Sequence, residues 1–126
     1  GSDSGLMGVL AQNVLNEKGN VIGVMPKFLV DRERAMLSLE NLIITKDMQE
    51  RKKIMMEKGD LFIAMPGGPG TLEEISEAFS SSRLGLHQKY CCFYNIHGYY
   101  GVIIHLVLPH PCEIPYLHTL MHHSHA

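Results

Sequence analysis

The run Pro66-Gly67-Gly68-Pro69-Gly70-Thr71 is the part of the sequence best suited to bind an anion. Its glycines leave the backbone free to adopt left-handed angles and let a ligand approach without interference from Cβ atoms. A helix that starts near Thr71 would aim unpaired N–H groups into the same space, where they can bind phosphate. The run is not a Walker loop, because no Lys-Ser or Lys-Thr pair follows, and it lacks the third glycine of the dinucleotide fingerprint. We predict a phosphate cradle here; the alternative is a tight strand-to-helix turn without a ligand.

Thr71 and Glu74 have the spacing of a capping box at the start of the helix that follows this run. In that motif the threonine side chain bonds the amide of the third helical residue, and the glutamate reaches back to the threonine amide. On a helical wheel, Glu74 falls at the edge of the buried face, near the mouth of the loop. That face comprises Leu72, Ile75, Ala78 and Phe79. Glu74 is therefore either a structural cap or a carboxylate that faces a bound sugar.

Two cations lie on the apolar side of the helix predicted over residues 47–58. The apolar arc of that helix comprises Met48, Ile54, Met55 and Met56. Arg51 and Lys52 fall inside this arc, where a buried cation is costly unless an anion pairs with it. For Arg51 we favour a pocket. For Lys52 we favour a side chain that extends outward along its aliphatic stem.

The elements that must position these residues follow from the apolar pattern. Four short apolar runs, rich in β-branched or aromatic residues, are typical of buried strands. They are residues 21–25, 42–45, 61–65 and 91–94. Helical segments closed by glycine are predicted over residues 6–18, 47–58 and 72–84. Strands that alternate with helices predict an α/β fold with a parallel sheet covered on both faces, whose ligands bind beyond the carboxyl ends of the strands. Two loops qualify there, 66–71 and 1–8.

The composition excludes several classes of protein. The chain has 126 residues, enough for one domain, and its hydrophobic content of 45% is ordinary for a folded protein. A net charge of −2 gives no reason to expect binding to nucleic acid. No apolar stretch approaches the roughly 20 residues that span a bilayer, and the N-terminus does not read as a secretory signal. The three cysteines fit neither a disulfide framework nor a C-x-x-C metal pattern. We expect a soluble, cytoplasmic protein without membrane or nucleic-acid partners.

Histidines concentrate at the end of the chain, where six of the eight lie from His105 to His125. His118 and His122 have helical i, i+4 spacing. Without a third ligand held by firm structure, this pattern favours an irregular, exposed tail over a metal site. We predict no metal.

Two motifs together resemble the LOG family of cytokinin riboside 5′-monophosphate phosphoribohydrolases, whose members are often labelled lysine decarboxylases. The first is the helical run Asp47-Met48-Gln49-Glu50-Arg51-Lys52-Lys53-Ile54-Met55, and the second is Pro66-Gly67-Gly68-Pro69-Gly70-Thr71-Leu72-Glu73-Glu74. An Arg-Lys helix followed by a Gly-Gly-x-Gly-Thr-x-x-Glu turn is much more specific than a glycine loop alone. The resemblance extends from about Gly1 to about Tyr100 and takes in Gly5-Leu6-Met7-Gly8, residues 21–26, Leu84-Gly85-Leu86-His87 and Asn95-Ile96-His97-Gly98-Tyr99-Tyr100.

This resemblance implies a Rossmann-like homodimer that cleaves the N-glycosidic bond of a nucleoside 5′-monophosphate and frees the base and ribose 5-phosphate. No metal or organic cofactor is needed. The catalytic pair of the family maps onto Arg51 and Glu74. The residues implied to bind the substrate and its phosphate are Gly67, Gly68, Pro69, Gly70, Thr71, Lys52, Gly5 and Met48.

The residue types suit that reaction. Breaking the bond from ribose to base builds positive charge at the anomeric carbon, which a carboxylate such as Glu74 can stabilise. Arg51 can hold the substrate through forked hydrogen bonds. The alternative is a non-catalytic module of the same fold that binds a nucleotide without turning it over. Nothing suggests a pyridoxal-phosphate site, and the choice between adenine and an N6-substituted adenine stays open.

The sequence also departs from the family. Members usually carry histidine where Gln49 stands, tryptophan near Ser81 and proline at Tyr90. The resemblance ends after Tyr100, and Pro109-His110-Pro111-Cys112 interrupts the region where a closing helix is expected. We therefore expect a hydrolase domain over residues 1–104, lacking the first strand, its helix and the next strand, and an irregular His-rich tail over residues 105–126. Such a chain is expected to be a poor enzyme compared with a full-length relative.

Overall fold

A computed structural model describes residues 5–32, 40–107 and 117–120. The chain divides into two compact units, Gly1–Lys58 and Gly59–Ala126. None of the helices in the described ranges is long and apolar enough to cross a membrane.

Among its described residues, 5–32 and 40–58, the first unit has three helices and a two-stranded parallel sheet. In chain order its elements are α1 (Gly5–Asn16), β1 (Ile22–Pro26), α2 (Lys27–Arg32), β2 (Asn41–Thr45) and α3 (Met48–Lys58). Strands β1 and β2 pair with Gly23 opposite Leu42 and Pro26 opposite Thr45. Helices α2 and α3 both contact this sheet. The residues of β1 after Ile22 are buried, so β1 forms the centre of this unit.

Side-chain caps similar to a capping box start α3. The amide of Glu50, the third helical residue, donates to the Asp47 carboxylate at 2.8 Å, and the Glu50 carboxylate accepts from the Lys46 amide at 2.7 Å. The Thr45 hydroxyl donates to the Asp47 carbonyl at 2.9 Å and ties the end of β2 to the same turn. These bonds satisfy amides at the N-terminus of the helix and fix where α3 leaves the sheet.

The described strands of the second unit form a three-stranded parallel sheet in the order β3-β4-β5. Its elements are β3 (Leu61–Ala64), α4 (Pro69–Arg83), β4 (Tyr90–Tyr94), a 3₁₀ turn (Ile96–Gly98), α5 (Gly101–Val107) and β5 (Leu117–Leu120). Leu61 lies opposite Tyr90, and Cys91 lies opposite Leu117. Helix α4 contacts both β3 and β4. The core of this unit comprises Ala64, Ile75, Ala78, Cys91, Cys92, Phe93 and Tyr100.

Glycine ends α4 as predicted. Gly85 adopts φ 77°, its amide donates to the Ser82 carbonyl, and the Leu86 amide donates to the Ser81 carbonyl, both at 3.0 Å. This is the Schellman arrangement, which needs a left-handed residue just after the helix. His87 then links α4 to β4, because its Nε2 lies 2.8 Å from the Ala78 carbonyl and its Nδ1 accepts from the Lys89 amide.

The end of α1 differs from the prediction. The helix ends at Asn16 rather than Lys18, and Lys18 takes the left-handed angle, with φ 60°, in the position where we expected glycine. Gly19 follows one residue later and donates to the Val14 carbonyl at 2.8 Å. A Cβ atom at Gly19 would lie 2.7 Å from Val14 Cγ1. Glycine is therefore required there for space.

The α/β class, the four predicted strands, the three predicted helices and the parallel pairing are confirmed. The described strands form two small parallel sheets flanked by helices. Ile44 of β2 and Ile63 of β3 are about half exposed, at 53% and 46%. Helices α2 and α5 and strand β5 were not predicted. The end of α5 and all of β5 lie in the stretch after residue 104, and residues 108–116 and 121–126 lie outside the described residues. The predicted division of the chain at residue 104 stays a prediction.

Candidate active site

The glycine-rich run joins β3 to α4 at the carboxyl end of the strand, as expected for a ligand loop of a parallel sheet. Gly68 is the N-cap of α4, with φ −89° and ψ −163°, and Pro69 is the first helical residue. Proline suits that position because it has no N–H to satisfy and its fixed φ matches the helix. The helix therefore begins three residues earlier than predicted.

This early start overturns the capping box predicted for Thr71 and Glu74. Thr71 is the third residue of the helix, not its N-cap, and no side chain caps α4. The Thr71 amide donates to the Gly68 carbonyl at 3.1 Å. Glu74 lies within the second helical turn, beyond the reach of a capping residue. Glu74 therefore does not take part in the capping box that was predicted for it.

The glycines of the loop matter because they lack a side chain, not because they adopt unusual backbone angles. The described glycines with positive φ are Gly5, Gly85 and Gly98, so the left-handed angles expected in this loop are not used. A Cβ atom at Gly67 would overlap the Thr71 hydroxyl. By contrast, nothing lies within 4 Å of a Cβ atom built on Gly68 or Gly70. The loop is packed against the helix at Gly67 and is open at the two later glycines.

This loop also carries backbone donors. Within the part of the chain that the structure describes, the amides of Gly67, Gly68 and Gly70 donate no hydrogen bond. They lie at the N-terminus of α4, a helix of 15 residues whose dipole places partial positive charge there. Free amides and a positive helix end are the features that bind phosphate in proteins.

Two tyrosines hold the loop from its carbonyl side. The Tyr99 hydroxyl donates to the Gly67 carbonyl at 2.7 Å, and the Tyr100 hydroxyl donates to the Met65 carbonyl. Neither tyrosine was predicted to be a site residue. The signal that could have found them is the run from Asn95 to Tyr100, which was noted only as part of the family resemblance.

Glu74 lies on α4 at the border between buried and exposed positions. Ile75 and Ala78 are buried, Leu72 and Phe79 are half-buried, and Glu73 is exposed. The apolar face predicted for this helix is confirmed by these positions. Glu74 itself is half-buried, as expected for a residue at the edge of that face.

Arg51 projects from α3 onto β1. Its Nε donates to the Val24 carbonyl at 2.9 Å, and burial lowers the pKa of its guanidinium because the charged form loses hydration. The bond to a strand carbonyl fixes the plane of the guanidinium within the first unit. Lys52 and Met48, on the same helix, are half-buried.

The described residues do not bring every predicted site residue into one unit. The loop, Glu74 and the two tyrosines belong to the second unit, while Arg51, Lys52, Met48 and Gly5 belong to the first. Gly5 begins α1 with φ 71°, and no atom lies within 4 Å of a Cβ atom built on it. The binding roles of these residues stay predictions.

No group of three metal-ligating side chains occurs among the residues that the structure describes. Of the histidines considered for a metal, His118 lies in β5, and His122, His123 and His125 lie outside the described residues.

The fold and the loop define an α/β protein in which a parallel strand delivers a glycine-rich turn to the N-terminus of a helix. Residues 7–117 match the model of the family described as "Possible lysine decarboxylase". The chain belongs to this family, and its resemblance to the LOG proteins is confirmed.

Named relatives support this membership. The chain is 43% identical over 106 residues to the probable cytokinin riboside 5′-monophosphate phosphoribohydrolase LOGL1 of Oryza sativa subsp. japonica, covering 84% of this chain and 48% of the relative. It is 45% identical over 105 residues to the cytokinin riboside 5′-monophosphate phosphoribohydrolase of Rhodococcoides fascians, covering 82% and 53%. For LOG5 of Arabidopsis thaliana the identity is 40% over 104 residues, covering 82% and 46%. The chain thus spans about half the length of the curated relatives that it matches.

Proposed function

We propose that this protein hydrolyses the N-glycosidic bond of a nucleoside 5′-monophosphate and releases the base and ribose 5-phosphate. The observation that carries the proposal is the open row of amides at Gly67, Gly68 and Gly70, with Glu74 one turn further along the same helix. The names of the relatives from rice, Rhodococcoides fascians and Arabidopsis add the substrate class, cytokinin riboside 5′-monophosphates. AMP is the plain-adenine alternative within that class.

The phosphate is bound by the loop in this proposal. A 5′-phosphate at the N-terminus of α4 accepts hydrogen bonds from the free glycine amides and gains from the helix dipole. Pro69 and Thr71 shape this end of the helix, since Pro69 fixes its first turn and Thr71 packs against Gly67. A charge-assisted contact of this kind would distinguish a nucleotide from a nucleoside.

Glu74 stabilises the reacting sugar. As the bond to the base breaks, positive charge grows at the anomeric carbon, and a fixed carboxylate lowers the energy of that transition state. The same carboxylate can orient a sugar hydroxyl or the attacking water. Glu74 is half-buried at the edge of the apolar face of α4, one turn beyond the open glycines of the loop.

Arg51 binds the substrate through its guanidinium fork. Its Nε is already committed to the Val24 carbonyl, which holds the group in one orientation and lowers the entropy lost on binding. Lys52, Met48 and Gly5 are assigned to substrate contacts from the family motif alone. The proposed reaction uses these protein groups and needs no metal or organic cofactor.

We also propose that the protein acts as a homodimer in the cytoplasm. The family resemblance supports the dimer. Cys91 and Cys92 are buried free thiols, which suits a reducing compartment.

A base-release assay tests the proposed reaction. Protein is incubated with AMP and with N6-isopentenyl-AMP, and free base is measured by chromatography alongside binding by calorimetry. Release of adenine or isopentenyladenine supports the hydrolase. Binding of either monophosphate without release of base would favour the alternative, a non-catalytic nucleotide-binding module, and failure to bind either would overturn both functions.

A further inference from the structure

Two consecutive tyrosines reach back to the phosphate loop from the turn after β4. The hydroxyl of Tyr99 bonds the carbonyl of Gly67, and the hydroxyl of Tyr100 bonds the carbonyl of Met65. These two carbonyls flank Pro66. The loop is therefore held at two points on one side, while its amides are open on the other.

The backbone conformation between β4 and α5 places the rings of Tyr99 and Tyr100 next to the loop. Asn95 is buried, and its side-chain oxygen accepts a bond from the Tyr100 amide at 2.8 Å. His97 has φ 50° and Gly98 has φ 71°, so two successive residues are left-handed. A non-glycine residue holds that conformation only where its surroundings enforce it.

Ring packing then fixes the pair. The Tyr100 ring lies 5.0 Å from the Phe93 ring and 5.0 Å from the Tyr99 ring, the latter edge to face. Such aromatic contacts restrict the orientation of each ring and therefore the position of its hydroxyl group. The two hydroxyls are thus aimed at the loop by the core of the second unit.

The two bonds have different consequences for the donors of the loop. In a trans peptide the C=O and the following N–H point in opposite directions. Fixing the Gly67 carbonyl therefore turns the Gly68 N–H away from Tyr99, and this amide has no acceptor among the described residues. The peptide that Tyr100 fixes ends in Pro66, which has no N–H, so Tyr100 sets only the path of the chain.

We propose that Tyr99 is a positioning residue whose hydroxyl locks the Gly67–Gly68 peptide so that the Gly68 amide faces the 5′-phosphate of the substrate. This inference rests on the proposed function and deepens it. Tyr99 does not touch the reacting atoms. It acts by preparing one phosphate donor before the substrate arrives, which reduces the cost of ordering the loop.

Tyr99 can be tested without disturbing the fold. Its side chain is 55% exposed, whereas Tyr100 is only 1% exposed. Loss of the Tyr100 hydroxyl would leave the half-buried Met65 carbonyl unpaired beneath a buried ring and would destabilise the domain. Tyr99→Phe keeps the ring contacts and removes only the bond to Gly67. Tyr94→Phe is the matched control, because the Tyr94 hydroxyl makes no hydrogen bond with the described residues.

The experiment measures binding of AMP and of adenosine to the parent chain, Tyr99→Phe and Tyr94→Phe, with ¹⁵N-glycine labelling to follow the Gly68 amide by NMR. Tyr99→Phe is expected to weaken AMP binding about three- to ten-fold, the worth of one hydrogen bond. Adenosine binding and the melting temperature should not change. The Gly68 amide resonance should move on addition of AMP in the parent and in Tyr94→Phe, and less in Tyr99→Phe.

Each opposite result overturns the inference. Equal AMP affinity in the parent and Tyr99→Phe would show that the hydroxyl does not prepare the donor, and parallel losses for AMP and adenosine would show a general structural role. In a third outcome the parent releases base while its Gly68 amide resonance does not shift on addition of AMP. That result would overturn the role of Tyr99 and leave the proposed function intact. Absence of both base release and AMP binding in the parent would defeat the two together.

Discussion

Glu74 and Glu73 are adjacent carboxylates on α4 with different surroundings, since Glu74 is half-buried and Glu73 is exposed. We expect Glu74→Gln to lower turnover by about 10²–10³, because the amide keeps the shape but loses the charge that opposes the developing cation. Substrate affinity and the melting temperature should change little. Steady-state base release and thermal melting measure these effects. Glu73→Gln is the control, and equal losses in the two variants would argue against a specific role for Glu74.

Arg51 combines a structural bond and a charge. Arg51→Lys is expected to weaken monophosphate binding by about ten-fold or more while affecting nucleosides less, because an ammonium cannot reproduce a forked contact with an anion. Calorimetric titration with AMP and adenosine separates the two ligands.

Lys53→Ala is the control for Arg51. It removes an exposed cation of the same helix, whose ion pair with Glu57 spans 4.0 Å at the surface and adds little stability. Unchanged AMP binding in Arg51→Lys would return Arg51 to a purely structural role.

At the scale of elements, two glycines of the β3–α4 junction, Gly67 and Gly68, should respond differently to substitution by alanine. Gly67→Ala is expected to destabilise the protein by about 1–3 kcal/mol, because the added methyl group overlaps the Thr71 side chain that packs against it. The methyl group added in Gly68→Ala has no atom within 4 Å, so this variant should have the melting temperature of the parent. Its methyl group enters the open side of the loop, so AMP binding should weaken instead. Urea denaturation and AMP titration of both variants check this reversal, and equal melting of the two would contradict it.

The buried thiol of Cys91, in strand β4, leads us to expect a lower free energy of unfolding at high pH. Burial, and then the neighbouring Cys92, raise the pKa of the Cys91 thiol from 9.0 to about 11. The folded state therefore holds this proton more tightly than the unfolded state. The resulting stability is complete below pH 9 and is lost as the pH rises through about 11, by up to roughly 2 kcal/mol. Urea unfolding at pH 7.5 and 10.5 should show a smaller fall for Cys91→Ala than for the parent, and identical falls would refute the assignment.

The elements were predictable where local chemistry decides them. The strands and helices named in advance carry apolar runs and glycine stops, and Gly85 closes α4 as its sequence indicates. The start of α4 was misplaced because the Thr71–Glu74 spacing imitates a capping box, whereas Pro69 already fits the first helical position. Helix α2 and strand β5 were missed because short segments depend on their neighbours more than on their own pattern.

The candidate site was predictable only in part. The glycine run and Glu74 are adjacent in sequence, so their proximity followed from the loop and the helix alone. The grip of Tyr99 on Gly67 joins residues far apart along the chain, and no local pattern encodes it. The bond from Arg51 to the Val24 carbonyl is equally non-local. Its position in an apolar arc predicted only that the Arg51 side chain would face inward.

At the scale of the whole molecule, α1 predicts self-association of this 126-residue chain. Leu6, Met7, Val9, Leu10 and Leu15 are between 39% and 58% exposed, and Gly8 is the buried residue of the helix. An exposed helix that is apolar on several sides tends to be covered by other chains. Leu6→Gln with Leu10→Gln should lower light scattering at high protein concentration.

A second pair of exposed leucines is the control for non-specific hydrophobic association. Leu84 and Leu86 are 73% and 74% exposed just after α4. Their replacement by glutamine should leave scattering unchanged. If both double variants scatter like the parent, exposure on α1 does not drive association.

The central place of β4 has a further consequence, for the order in which the chain is made. β4 is the neighbour of both β3 and β5, and the paired residues are 29 and 26 positions apart along the chain. At a synthesis rate of about 5–20 residues per second, β3 waits on the order of seconds for its partner to leave the ribosome. During that time its apolar edge can pair with another chain. The yield of folded protein therefore depends on how quickly synthesis reaches Tyr90–Tyr94.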